Sequence, residues 1–117
     1  MRNMKSKAIM GGIAVAFVIV MLLYINSIKL GRVVSGSMEP ALSVGDIVRI
    51  KECDIEKIKE GDIIVYESTE GKKIIHRVVL CTENGLLVKG DSNRYMDEEI
   101  VTSDNLVGKV TNIMLKN

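Results

Sequence analysis

In 117 residues the chain has no tryptophan, one phenylalanine, three tyrosines, one histidine, one proline and two cysteines. Beyond the N-terminal apolar segment the only aromatic residues are Tyr66 and Tyr95, too few for base-stacking platforms. The basic residues there are scattered among acids, so no nucleic-acid partner is expected. One histidine and two distant cysteines cannot assemble a zinc site. Cys53 and Cys81 match no CxxC pattern and are read as free. Asp91, Asn93 and Asp97 alternate like calcium-loop ligands, but Met96 and Thr102 stand where such a loop needs glycine and glutamate. No metal or cofactor is expected.

Charge and proline are also missing from Ala8 to Ile25, AIMGGIAVAFVIVMLLYI. As a helix rising about 1.5 Å per residue, this run covers most of a ~30 Å hydrocarbon core. A span so uniformly apolar has no polar face to offer water, which argues against a helix of a soluble core. Asn26-Ser27-Ile28-Lys29 is a poor small-x-small cleavage site, so an uncleaved anchor over residues 8–28 is expected rather than a removed signal peptide. Arg2, Lys5 and Lys7 precede the span without an acid among them, which predicts a cytoplasmic N-terminal tip, residues 1–7, and an extracytoplasmic domain, residues 29–117. Tyr24 falls where an aromatic ring commonly sits at headgroup level. From Leu30 onward 12 basic residues face 15 acidic ones, a net charge of −3.

What remains after the span is enough for one modest core. Its short β-rich runs, punctuated by glycine, predict strands at Arg32–Val34, Asp46–Ile50, Asp62–Glu67, Lys73–Leu80, Leu86–Lys89 and Leu106–Leu115. Val44-Gly45-Asp46-Ile47-Val48 is echoed by Glu60-Gly61-Asp62-Ile63-Ile64, a repeated device for starting a strand. Glu70-Gly71-Lys72 and Glu83-Asn84-Gly85 are expected hairpin turns enclosing the strand that carries His76. Lys51–Lys59 reads as a helical turn or a solvated connection.

Ser35-Gly36-Ser37-Met38-Glu39-Pro40 lies just beyond the span, where a hydrolase acting on membrane-inserted chains would keep its nucleophile. A serine hydroxyl needs a base within hydrogen-bond reach and donors for an oxyanion. Ser37 could equally be a turn serine ahead of Pro40, and His76, taken alone, a surface or satisfied core residue.

Taken in order, Ser-Gly-Ser-Met-Glu-Pro, the Gly-Asp-Ile-Val turn, Ile75-His76-Arg77-Val78-Val79 and the Lys89-Gly90-Asp91-Ser92-Asn93 segment resemble the type I signal peptidases. The closest pattern is the serine–histidine branch of the endoplasmic reticulum, archaea and some Gram-positive bacteria. The resemblance implies a mainly β, partly barrel-like catalytic domain behind one N-terminal transmembrane helix. It implies that Ser37 is the nucleophile and His76 the general base. Asp97 matches the acid that orients the histidine, with Asp91 as the supporting or alternative acid. The Ser37 backbone N–H and the Ser35 hydroxyl match the oxyanion donors. Preprotein signal peptides with small residues at the first and third positions before the cut are the implied substrates, and the lipid bilayer and the secretion translocon the implied partners. The chain departs from the pattern at Ser92, where asparagine is common, and no second apolar span is expected after Val107-Gly108-Lys109-Val110. Two other classes stay open on the residues alone. A self-cleaving repressor-type peptidase would use a lysine base and no anchor, and an inactive homologue serving as a membrane scaffold would have lost a catalytic residue.

Overall fold

The computed structural model describes residues 4–117. Arg2, one of the three residues behind the orientation argument, lies outside the described residues.

Met4–Ser27 forms one helix, α1. Its Lys5–Asn26 portion contains an 18-residue window of mean hydropathy 2.7 and is long and apolar enough to cross a membrane. None of its apolar window is buried by the rest of the chain, so that apolar surface is left for a non-aqueous neighbour.

The remaining residues build a six-stranded, wholly antiparallel sheet from β1 (Lys29–Arg32), β2 (Ile47–Lys51), β3 (Ile63–Glu67), β4 (Lys73–Thr82), β5 (Gly85–Lys89) and β6 (Leu106–Leu115). Their spatial order is β1-β2-β6-β3-β4-β5. The mainly β class and the preceding apolar helix agree with the sequence reading. Five strands fall within two residues of their expected places at every boundary. The first does not. It runs Lys29–Arg32 rather than Arg32–Val34, starting almost at the end of α1, because Leu30 pairs with Arg49 and Arg32 with Ile47. Val33 still bonds across to Asp46 O at 2.9 Å, and Val34 then turns out to solvent at 77 % exposure. Pairing with β2, rather than the β-branched character of Val33-Val34, sets the strand's limits.

Strand periodicity divides the core. Ile64 and Tyr66 of β3 pack on one face with Ile58, Val78, Leu86, Val88 and Val101. Val65 points the other way, into a cluster with Val33, Met38, Leu42, Val48 and Ile50. β3 is therefore buried on both faces, which is why it reads as the continuous run Ile63-Ile64-Val65-Tyr66 instead of alternating. Ile55–Lys57 of the charged connection is a single 3-10 turn.

The repeated Gly-Asp device is one turn used twice. Gly45 and Gly61 both take positive φ, 93° and 90°, a conformation that L side chains rarely adopt. In each copy the following aspartate accepts from the backbone N–H three residues earlier, Ser43 to Asp46 Oδ2 and Lys59 to Asp62 Oδ2, both at 2.9 Å. Asp46 does more. Fully enclosed, it also accepts from Lys116 Nζ at 2.7 Å and Asn117 N at 2.9 Å, and these donors hold its carboxyl down at about 2. A carboxyl lowered by folding stabilises the fold above its unfolded value of roughly 4 and ceases to do so as pH falls through the folded one. Asp46→Asn should thus melt below the parent chain near neutrality, with the gap closing between about pH 4 and pH 2 in thermal denaturation. A gap independent of pH would remove the ionic role.

Candidate active site

Ser35 is extended, at φ −136° and ψ 163°, and caps a 3-10 turn over Gly36–Met38. Met38 is 1 % exposed, and Leu42 N donates to its carbonyl at 2.9 Å. These two apolar anchors pull the turn onto the core and leave Ser37 half-buried at the surface. Its Oγ lies 3.1 Å from His76 Nε2. His76, 7 % exposed in the middle of β4, places Nδ1 2.6 Å from Asp97 Oδ2. A carboxylate can only accept, so the ring proton sits on Nδ1 and Nε2 is free to accept from Ser37. Ser35 Oγ is 3.2 Å from Ser37 Oγ and accepts weakly from Ser37 N at 3.5 Å. Hydroxyl, backbone donor, base and acid form one connected chain, the arrangement needed to activate a serine and bind an oxyanion.

Strand parity separates the two acids that the sequence left entangled. His76 and Arg77 are successive residues of β4 and so project to opposite faces. Asp97 meets the histidine on one face. Asp91 pairs with the arginine on the other, Arg77 Nε donating to Oδ1 at 2.9 Å and Nη2 to Oδ2 at 2.8 Å, while Arg77 Nη1 donates to Gly61 O at 2.8 Å. This fork holds the Asp91 carboxyl below its ordinary range. Asp91, Asn93 and Asp97 thus do not converge as calcium ligands, and no group of acids, cysteines and histidine among the described residues could hold a metal. Breaking the partly exposed Arg77 fork costs about 1 kcal/mol, so Asp91→Ala should lower the melting temperature by roughly 4–8 °C. Any catalysis at Ser37 should fall with it, because the same loop touches the Ser37 turn. Unchanged melting in that variant would show the pair to be without structural weight.

Two contributors escaped the sequence reading. Ser92 was noted only as a departure, yet its N–H donates to Ser37 O at 2.9 Å and its hydroxyl to Gly36 O at 2.7 Å. It clamps the serine turn from the loop after β5. Gly90 makes this approach possible, since a Cβ there would stand 2.7 Å from Ser37 O. Tyr66 is the other. On β3, beside His76 and on the same face, its hydroxyl donates to Asp97 Oδ2 at 2.5 Å. The available signal was general: a tyrosine in an apolar strand needs a partner for its hydroxyl.

A cleft of 250 Å³ opens beside Ser37, walled by Arg32–Ser35 on one side and Lys73–His76 on the other. β2, β6 and β3 separate these segments within the sheet, so the sheet must curl to bring them together. Both walls carry unpaired backbone. β1 is an edge strand, and β5 pairs with β4 only from Arg77 onward, leaving residues 73–76 open on that side.

Residues 6–82, which include Ser37 and His76, match the family model described as signal peptidase, peptidase S26. The chain belongs to the signal peptidase family. It is 32 % identical over 91 residues to signal peptidase I W of Bacillus subtilis (strain 168), an alignment covering 74 % of this chain and 48 % of that protein. It is 43 % identical over 79 residues to the signal peptidase complex catalytic subunit SEC11 of Colletotrichum graminicola, covering 62 % of this chain and 45 % of the relative. With SEC11 of Lodderomyces elongisporus the identity is 51 % over 71 residues, 56 % of this chain and 42 % of the relative. This signal peptidase chain therefore spans about half the length of the curated relatives it matches. Asp91 and Asp97 lie beyond the residues matched to the family model, so their assignment rests on geometry.

Proposed function

We propose that the chain is a membrane-bound serine endopeptidase that removes N-terminal signal peptides from preproteins. The observation that carries this reading is the unbroken hydrogen-bond chain Ser37–His76–Asp97 beside an open cleft. In this reading residues 8–28 anchor the protein, residues 1–7 are cytoplasmic, and residues 29–117 form the catalytic unit outside, near the secretion translocon.

The preprotein segment before the cut enters extended between residues 32–35 and 73–76 and supplies the strand missing between those two open edges, backbone pairing giving affinity. Small side chains at the first and third positions before the cut belong to this reading. Ser37 Oγ attacks the scissile carbonyl as its proton passes to His76 Nε2, and Asp97 stabilises the imidazolium that forms. Ser37 N and the Ser35 hydroxyl turn to the developing oxyanion. His76 then gives its proton to the leaving amine, and water releases the acyl group by the reverse sequence. No residue of this chain is missing from the scheme, which disfavours an inactive scaffold. A histidine in contact with the serine disfavours the lysine-dependent repressor class.

The full chain in detergent, given a preprotein peptide with alanine at the first and third positions before the expected cut, should cleave it once after the alanine, read by mass spectrometry. Ser37→Ala should reduce the rate by at least about 10³-fold. Cleavage persisting in that variant would overturn the proposal.

A further inference from the structure

The hydrogen-bond chain does not end at Asp97. Tyr66 is 1 % exposed, and its hydroxyl reaches the same oxygen, Asp97 Oδ2, that accepts from His76 Nδ1. Asp97 itself lies on the loop after β5, tied back by its N–H to Val88 O at 2.9 Å. Tyr66 and His76, by contrast, stand on paired strands, with Ile64 opposite His76 and Tyr66 opposite Ile74. Two donors fixed by the sheet thus converge on one oxygen supplied by a loop.

We propose that Tyr66 is a positioning residue of the peptidase reaction: its hydroxyl fixes the Asp97 oxygen against His76 Nδ1 and tempers the pull of that carboxylate on the imidazole proton. The inference rests on the reading of Ser37 and His76 as nucleophile and base. The phenol can only donate here, because burial first, then its bond to Asp97 and the nearby charges of Asp97 and Glu99 push its ionisation well above the ordinary range. The charged and titratable groups around the site are few. Ser37 faces the ring from the nucleophile turn, Asp97 and Glu99 from the loop after β5, and Asp91, paired with Arg77 and near Lys89, acts from the other face of β4. Tyr66→Phe alters none of those charges. It leaves Oδ2 with one donor, so the carboxylate holds the imidazolium more strongly and is less well fixed in rotation.

In the full chain in detergent, Tyr66→Phe should lower kcat roughly tenfold, the low end for a hydrogen bond to a charged group, with KM unchanged. The acid limb of kcat/KM should move to higher pH. A 3-fluorotyrosine at residue 66, a stronger donor of nearly the same size, should move that limb the opposite way. Because the chain has a single histidine, its Nδ1–H proton resonance is read without ambiguity and without turnover, and it should shift in Tyr66→Phe. A folded Tyr66→Phe with an unmoved Nδ1–H signal and an unmoved acid limb would overturn the proposal, as would lost thermal stability with unchanged kcat. The resonance tests Tyr66 even if Ser37→Ala removes the peptidase reading, so the two failures are distinguishable.

Discussion

His76→Ala should lower kcat/KM for a preprotein peptide by about 10⁴-fold or more, because no other base among the described residues lies within reach of Ser37 Oγ. Ser35 is the other side chain in contact with that oxygen, and a hydroxyl cannot act as the base. The fold should survive the change. Asp97 keeps the Tyr66 donor, and the two core clusters contain no part of the histidine. Far-ultraviolet circular dichroism should be unchanged while peptide cleavage, followed by mass spectrometry, is nearly abolished. Turnover within tenfold of the parent chain would transfer the base role elsewhere. His76→Lys should not restore activity, since Asp97 beside the new amine would hold it charged and unable to accept a proton.

Asp97→Asn gives the second large effect, a fall in kcat of about 10²–10⁴-fold with KM little changed. The amide is nearly the shape of the acid, and its oxygen can still accept from Tyr66. If the nitrogen takes the Oδ2 place instead, the Tyr66 bond is lost and the ring proton moves to Nε2, which then cannot accept from Ser37. The charge that stabilises the imidazolium is lost as well. Such a defect belongs to the chemical step and leaves binding intact, unlike the stability loss expected of Asp91→Ala. Steady-state kinetics on both variants, set beside their melting curves, separates the roles. A nearly silent Asp97→Asn together with a kinetic defect confined to Asp91 would reverse the assignment.

Ser37 and His76 could be singled out in the sequence because each sits in a short contiguous motif, Ser35–Pro40 and Ile75–Val79, that carries the family resemblance. Strands β2 to β6 were legible from local pattern. β2 to β5 each begin on or just after a glycine of positive φ, and the two Gly-Asp turns mark where β2 and β3 begin. β1 was displaced because Ile28-Lys29-Leu30-Gly31 carries little β propensity and becomes a strand only through β2. The choice between Asp91 and Asp97 could not be read from spacing, since it depends on which face of β4 each loop residue reaches. Tyr66 and Ser92 were hidden more deeply. Their partners lie 31 and 56 residues away, across strand pairings that no local pattern encodes.

The central claim, that Ser37 is a nucleophile activated by His76, is tested most directly by covalent capture. A peptide aryl phosphonate ending in an alanine analogue reacts with an activated serine by forming a P–O bond and expelling the aryloxide. Intact-mass and peptide mapping of the full chain after exposure should show one adduct, on Ser37, formed rapidly in the parent chain and negligibly in His76→Ala. An adduct on another residue, or labelling of Ser37 at the same rate without the histidine, would contradict the account.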